Sequence, residues 1–220
     1  MTGTLYIVAT PIGNLADITL RAIETLKTVD LIAAEDTRHT KILLDRYDIH
    51  TPTTSYFAYS KMKKTDYLLD ALEAGKSIAL VSDAGTPGIS DPGSYIIRLC
   101  IERAIPVVPI PGPSGVVTAL TLSGKPTDRF TFEGFLSNKS ARRRNQLKVL
   151  REEGRTVILY ESPHRITKLL DDIREVYGDV DVVLARELTK KFEEVRREKV
   201  SASIAHFAAV KPRGEFIVII

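Results

Sequence analysis

Three stretches of this chain combine residue types that can do chemistry. Between Ser82 and Gly93 it reads SDAGTPGISDPG, with Gly85, Gly88 and Gly93 interleaved with Pro87 and Pro92. Glycine lets backbone approach a ligand closely and proline stiffens a loop. The stretch therefore suits a bound organic molecule, or is an ordinary surface loop. The second stretch, Glu35-Asp36-Thr37-Arg38-His39-Thr40, offers carboxylates that can take a proton and an arginine that can hold a phosphate. Asp36 can equally serve as the N-cap of a following helix. The third stretch runs from Lys139 to Arg155. Lys139, Arg142, Arg143, Arg144, Lys148, Arg151 and Arg155 oppose only Glu152 and Glu153, so the segment carries +5 while the rest of the chain sums to −2. A local cationic patch on a near-neutral body points to an anionic partner, or is a solvated helix face.

The elements that position these residues follow from hydrophobic pattern. Short apolar runs at Leu5–Val8, Leu31–Ala34, Ile78–Val81 and Val107–Ile110 read as strands, the run at Ile78–Val81 as a fully buried parallel one. Helical spacing separates them: Ile18, Ala22, Leu26 and Val29; Ile42, Leu43 and Tyr47; Tyr67, Leu68, Ala71 and Leu72, with Gly75 as C-cap; Tyr95, Ile96, Leu99 and Cys100. The glycine-rich stretch thus leaves the carboxyl end of a strand, where open α/β sheets bind ligands. Pro111-Gly112-Pro113-Ser114-Gly115 turns the fourth strand into a helix around Val117, Leu120 and Leu122. The α/β rhythm then changes. Strands are predicted at 130–132, 156–160, 180–184, 194–198 and 216–220, with helices over 142–152 and 164–176; the alternating 194–199 stretch reads as an exposed edge or antiparallel strand. Two α/β domains are expected: 1–115, with a mostly parallel doubly wound sheet, and 116–220, with a mixed sheet.

Bulk properties exclude several classes. At 220 residues with 44% hydrophobic content the chain is long enough for a sizeable core. No apolar run reaches the length of a membrane span and no signal peptide precedes the first strand, so no membrane partner and a cytoplasmic location are expected. Cys100, the single cysteine, rules out an intrachain disulfide and is expected in the core. With one cysteine and scattered His39, His50, His164 and His206, no metal site is expected. GxGxxG, GxxxxGK[ST] and GxSxG are all absent, which argues against dinucleotide, P-loop and nucleophile-elbow chemistry. Several glycine/proline loops at strand ends favour a bulky, bent organic cofactor lying over the sheet.

Leu5–Leu26 (LYIVATPIGNLADITLRAIETL), Ala34–Thr40 (AEDTRHT) and Ser82–Gly93 together resemble the tetrapyrrole-methylase superfamily. These are S-adenosylmethionine enzymes whose cofactor folds into the cleft between two α/β domains. Phe132–Leu147 (FEGFLSNKSARRRNQL), Leu159–Ile166 (LYESPHRI), Ala185–Glu194 (ARELTKKFEE) and Arg213–Ile220 (RGEFIVII) resemble one branch closely, the one that methylates the ribose 2′-oxygen of a decoding-centre cytidine in 16S rRNA. The resemblance implies S-adenosylmethionine as cofactor, with Pro11, Ala84, Gly85, Thr86, Ile89, Ser114, Gly115, Tyr160, Glu161 and Leu188 around it. As partner it implies 16S rRNA in the 30S subunit or a late precursor, and it implies a homodimer; the cationic patch offers Lys139, Arg142, Arg143 and Arg144, with Arg38 beside the carboxylates, as the grip on that RNA. Two departures stand out: Ser137 replaces the family's usual proline, and the chain ends at Ile220 where members usually continue into a small helical extension.

Methyl transfer from a sulfonium is an in-line displacement in which alignment supplies much of the rate. A ribose hydroxyl additionally needs a proton acceptor. Loop positions offer Glu35, Asp36, His39, Glu133, Glu161 and His164; Asp36, Glu35 and Glu133 are the catalytic candidates, and Glu161 can instead be a rim residue touching only the cofactor. Ser140 is expected to cap the helix that carries the arginines. Two alternatives remain: a porphyrin or corrin C-methyltransferase, against which Gly85-Thr86-Pro87 lacks the acidic residue of those enzymes, and a non-catalytic RNA-binding module, which needs no cofactor loops.

Overall fold

A computed structural model describes residues 2–57 and 62–220, and the chain divides into two units between Ser114 and Gly115. In the first unit β1 (Leu5–Val8), α1 (Leu20–Thr28), β2 (Leu31–Ala34), α2 (Thr37–Arg46), β3 (Thr53–Ser55), α3 (Met62–Glu73), β4 (Ile78–Val81), α4 (Ser94–Glu102) and β5 (Val107–Ile110) follow one another. The strands form a parallel sheet in the order β3-β2-β4-β1-β5. Parallel strands require crossovers, which cover both faces and explain why β2 and β4 are apolar without alternation. One face carries Val8, Ile32, Ala34, Ala79 and Val81 against Leu26, Leu43 and Leu44. The other carries Leu5, Ile7, Ala33, Ile78 and Leu80 against Leu68, Leu72, Ile96 and Cys100. Burial pushes the Cys100 thiol up to about 11, so it is a packing residue and not a nucleophile.

The second unit comprises α5 (Gly115–Ser123), β6 (Phe130–Phe135), α6 (Ser140–Glu153), β7 (Thr156–Glu161), α7 (Ile166–Tyr177), β8 (Asp181–Arg186), β9 (Glu194–Lys199), α8 (Val200–Ala209) and β10 (Phe216–Ile219). Its sheet, β6-β7-β10-β8-β9, is mixed: β6 and β7 are parallel, and the other neighbours are antiparallel. Val157, Leu159, Val182, Leu184, Phe216 and Val218 point to a core filled by α6, α7 and α8, through Leu147, Leu150, Leu169, Ile173 and Phe207. The alternate residues, among them Tyr160 and Ile217, face the start of α5: a Cβ on Gly115 would lie 3.2 Å from Ile217 Cδ1 and 3.5 Å from the Tyr160 hydroxyl.

Both edges of this sheet are irregular or charged. β9 carries a ladder in which Arg186 pairs with Glu194 and Arg196 with both Glu194 and Glu198. In β6 the register to β7 slips between Phe132 and Gly134, so Glu133 is an extra residue and Gly134 takes φ +60°. A bulge of this kind re-aims the side chains beyond it.

Some expectations need correction. β3 and α8 were not anticipated. On α4, Ile96 and Cys100 are buried as expected, but Tyr95 is 45% exposed. Ser140 does not cap α6: the N-cap is Lys139, which makes no side-chain capping bond, and the Ser140 hydroxyl donates to Asp172 Oδ1 at 2.8 Å.

Candidate functional site

In the first unit the carboxyl ends of β1 and β4 are tied together. Thr10 and Gly85 exchange both backbone hydrogen bonds, at 2.9 and 3.0 Å, and the buried Thr10 hydroxyl donates to Ser82 O at 3.1 Å. Gly85 has φ +78°, yet a Cβ there would meet only Ile12 and Pro113 O at ordinary distances of 3.7 and 3.9 Å. The backbone torsion, not crowding, demands the glycine. The amides of Ala84 and Thr86 on either side donate to no described residue. Ala84 is exposed, Ile89 is 50% exposed, and Thr86 and Ser114 are half-buried. Pro11 is buried beside Thr10. Ser90, a non-glycine residue, sits at φ +61° in the same loop. Such strain persists only where surrounding structure holds it, and it clusters at ligand sites.

The ends of β2 and β4 are cross-linked by carboxylates. Asp36 N–H donates to Asp83 Oδ1 at 3.1 Å, and Asp83 N–H donates to Glu35 Oε2 at 3.3 Å. Each strand end thus holds the other through one backbone amide and one side chain. Burial pushes the Glu35 carboxyl above its ordinary range; the Asp83 amide opposes this, while the charges of Asp83 and Asp36 add to it. Asp36 behaves oppositely. It caps α2 by accepting from Arg38 N–H at 2.8 Å, and its two oxygens also accept from Arg38 Nε and Nη2. Those bonds hold its carboxyl down at about 2. Arg38 is exposed but already engaged. Asp83 was not singled out from sequence, although a carboxylate at the end of the strand beside Glu35 was the available signal.

In the second unit Tyr160, at the end of β7, sits between Phe132 and Phe135, with ring centroids at 4.9 and 5.7 Å in edge-to-face arrangement. Glu161 is not a rim residue. The residue is 1% exposed, Oε1 accepts from Ser162 N–H at 2.8 Å, and Oε2 lies 3.2 Å from Arg165 Nη2. It offers no free carboxylate because burial has enclosed it. Leu188 is 5% exposed, between Glu187 at φ +51° and Thr189 at φ +67°, a second strained loop at a strand's carboxyl end. Glu133 is exposed on its bulge and His164 is exposed before α7, while His39 is exposed on α2.

The basic patch divides. Arg143 does not reach solvent: it is 2% exposed, donates from Nε to Asp172 Oδ2 at 2.7 Å and reaches the carbonyls of Ser137 and Lys168. Its place in the RNA grip is therefore withdrawn, because a guanidinium enclosed in the core against a carboxylate and two carbonyls lies out of reach of a phosphate. Arg144 pairs with Glu175 and is half-buried. Lys139 and Arg142 are exposed, and no described residue pairs with either side chain.

A model of the Tetrapyrrole (Corrin/Porphyrin) Methylases matches residues 4–203. A Synechocystis protein called ribosomal RNA small subunit methyltransferase I is 52% identical over 219 residues, covering 99% of this chain and 78% of that protein. A Thermotoga maritima protein of the same name is 48% identical over 218 residues, covering 99% and 98%. Among solved structures, a diphthine synthase superposes with TM-score 0.77 at 14% identity, covering 99% of this chain and 89% of that one. A uroporphyrin-III C-methyl transferase from Thermus thermophilus, complexed with S-adenyl homocysteine, superposes with TM-score 0.69 at 15% identity, covering 99% and 97%. At such identity the structural likeness concerns fold.

Proposed function

Because the chain belongs to the tetrapyrrole methylase family, in the branch of ribosomal RNA small subunit methyltransferase I, we propose that it transfers a methyl group from S-adenosylmethionine to the ribose 2′-oxygen of a decoding-centre cytidine in 16S rRNA. The observation that carries the reading is the locked Thr10–Gly85 pair, which leaves the Ala84 and Thr86 amides open beside the Glu35–Asp83–Asp36 cross-link. Open backbone donors fit hydroxyl and carboxylate oxygens, and the exposed Ile89 fits a flat apolar ring, so the loop is compatible with this cofactor. When bound, S-adenosylmethionine supplies an already activated sulfonium methyl.

The chain's own contribution is then alignment and removal of one proton. We assign the acceptor role to Glu35 ahead of Asp36 and Glu133. A carboxylate whose pKa burial raises above its ordinary range takes a hydroxyl proton more readily than one held at about 2. Asp36 caps α2 and fixes Arg38, which leaves it a positioning residue. Ser114 and Gly115, with Tyr160, Glu161 and Leu188 contributing through backbone and rings, complete the proposed cofactor set. The RNA grip is reduced to Lys139 and Arg142, with Arg38 and Arg144 available only if RNA displaces their partners. Incubation with labelled S-adenosylmethionine and 30S subunits lacking 2′-O-methylation tests the reading. Label should map to one 2′-O-methylcytidine, and label transferred to no RNA would overturn it.

A further inference from the structure

The bulge in β6 has placed aromatic side chains where strand periodicity would not. Phe130 pairs with Thr156, Phe132 with Ile158 and Phe135 with Tyr160, so all three phenyl rings share one face of the sheet. Without Glu133 as an extra residue, Phe135 would point toward the core, since side chains alternate along a strand. Instead Phe130 is 41% and Phe135 51% exposed on an edge strand, with Phe135 braced by Tyr160. The chain after Phe135 is held firmly. Leu136 O accepts from Arg165 at 2.7 Å, Ser137 N–H donates to Gln146 Oε1 at 3.0 Å, and Ser137 O accepts from the buried Arg143 at 3.2 Å. Arg143 therefore positions the short loop that joins Phe135 to Lys139 and Arg142, cations that no described residue pairs. An exposed ring followed four and seven residues later by cations that pair with no described residue is the combination that binds an unpaired nucleotide, with the base stacked and the backbone neutralised.

From this juxtaposition we propose that Phe135 is a stacking platform for an unpaired base of the RNA substrate, with Lys139 and Arg142 on the flanking phosphates. The inference rests on the proposed function and adds a positioning residue to it. A second copy of this chain is the less favoured occupant: the +5 segment that contains Lys139 and Arg142 would repel its own image, whereas it attracts a polyanion.

The test compares Phe135→Ala, Phe135→Leu and Phe135→Tyr in the full chain, measuring the dissociation constant for 30S subunits, S-adenosylmethionine affinity by calorimetry, thermal midpoint and sedimentation. Stacking on one base is worth about 5- to 150-fold in affinity. Alanine and leucine should both weaken 30S binding within that range and tyrosine should restore it, with cofactor affinity, melting and sedimentation unchanged. Leucine matching the wild type would overturn the proposal, because apolar bulk alone would then suffice. Unchanged 30S binding in the alanine variant overturns it too, as does a change of oligomeric state in that variant, which would mark a self-interface. A wild-type chain that binds S-adenosylmethionine but neither binds nor methylates 30S subunits overturns the functional reading and this inference together. Normal methylation by both the alanine and the leucine variants overturns only the inference.

Discussion

The helices α2 and α6 both begin just after a strand, both carry charged residues in their first turn, and they solve that beginning in opposite ways. At α2 the sequence is self-sufficient: Asp36 caps the helix and neutralises Arg38, two residues away. At α6 nothing local suffices. The N-cap is a lysine without a capping bond, and Ser140 and Arg143 both turn to Asp172 on α7. Arginines near a helix N-terminus oppose its dipole, and here a buried carboxylate from a neighbouring helix compensates for one of them. A charge in sequence is thus not a statement about solvent or ligand until its partner is known. At α2 the partner is two residues away; at α6 it is 29 residues away.

The comparison is broken most sharply at Arg143. Replacing it by alanine leaves Asp172 buried with only the Ser140 hydroxyl, and should destabilise the fold by about 3–5 kcal/mol in urea titrations. Replacing Lys139 and Arg142 together should stay within about 0.5 kcal/mol. Equal losses would overturn the distinction drawn between Arg143 and the two exposed cations. Next in size, Glu35→Gln should lower methyl transfer about 100-fold with cofactor affinity retained, the low end for losing a proton acceptor. Asp36→Asn, which caps a helix as well as aspartate does, should cost less; the reverse ranking in single-turnover assays would return the acceptor role to Asp36. The Lys139→Ala, Arg142→Ala pair should reduce the salt slope of 30S binding by about 1.4, taking about 0.7 per phosphate contact, and an unchanged slope would make the patch a solvated helix face.

The smallest effects are in pH dependence, and the two adjacent carboxylates should differ in sign. Asp36 is lowered from 3.8 to about 2, so its contribution to stability is present above pH 4 and is lost as pH falls toward 2. Glu35 is raised above 4.5, so its contribution is present below that value and is lost as pH rises through the folded-state value. From pH 4 to pH 7, Glu35→Gln should therefore gain stability relative to wild type. From pH 4 to pH 2, Asp36→Asn should lose less than wild type does. Denaturant midpoints across this range check both.

The central strands were readable because a buried parallel strand is an unbroken apolar run, as in Ile78–Val81. β3 was not, because Thr53–Ser55 is three polar residues on an edge, paired on one side only. α8 follows β9 without a break, so no glycine or proline announced it. Loops at strand ends carry their own glycine and proline signature, which is why the stretch around Gly85 stood out. The roles of Asp83 and Arg143 were hidden because each depends on a residue distant in sequence, Glu35 and Asp172 respectively. The bulge was hidden differently: Gly134 hints at it, but only pairing with β7 shows that one residue has been added.

The ladder that Glu194, Arg196 and Glu198 of β9 form with Arg186 of β8 also bears on how the chain behaves in a crowd. An open sheet edge is a template on which another strand can grow, and fibrils propagate by that addition. An incoming copy of β9 would have to set alternating charges in register against those already paired along the edge, and at the opposite edge the kink at Glu133 interrupts the row of donors and acceptors. The mixed sheet is thereby guarded at both ends against seeding cross-β assembly, even though its interior strands, such as Phe216–Ile219, have the composition that such fibrils favour.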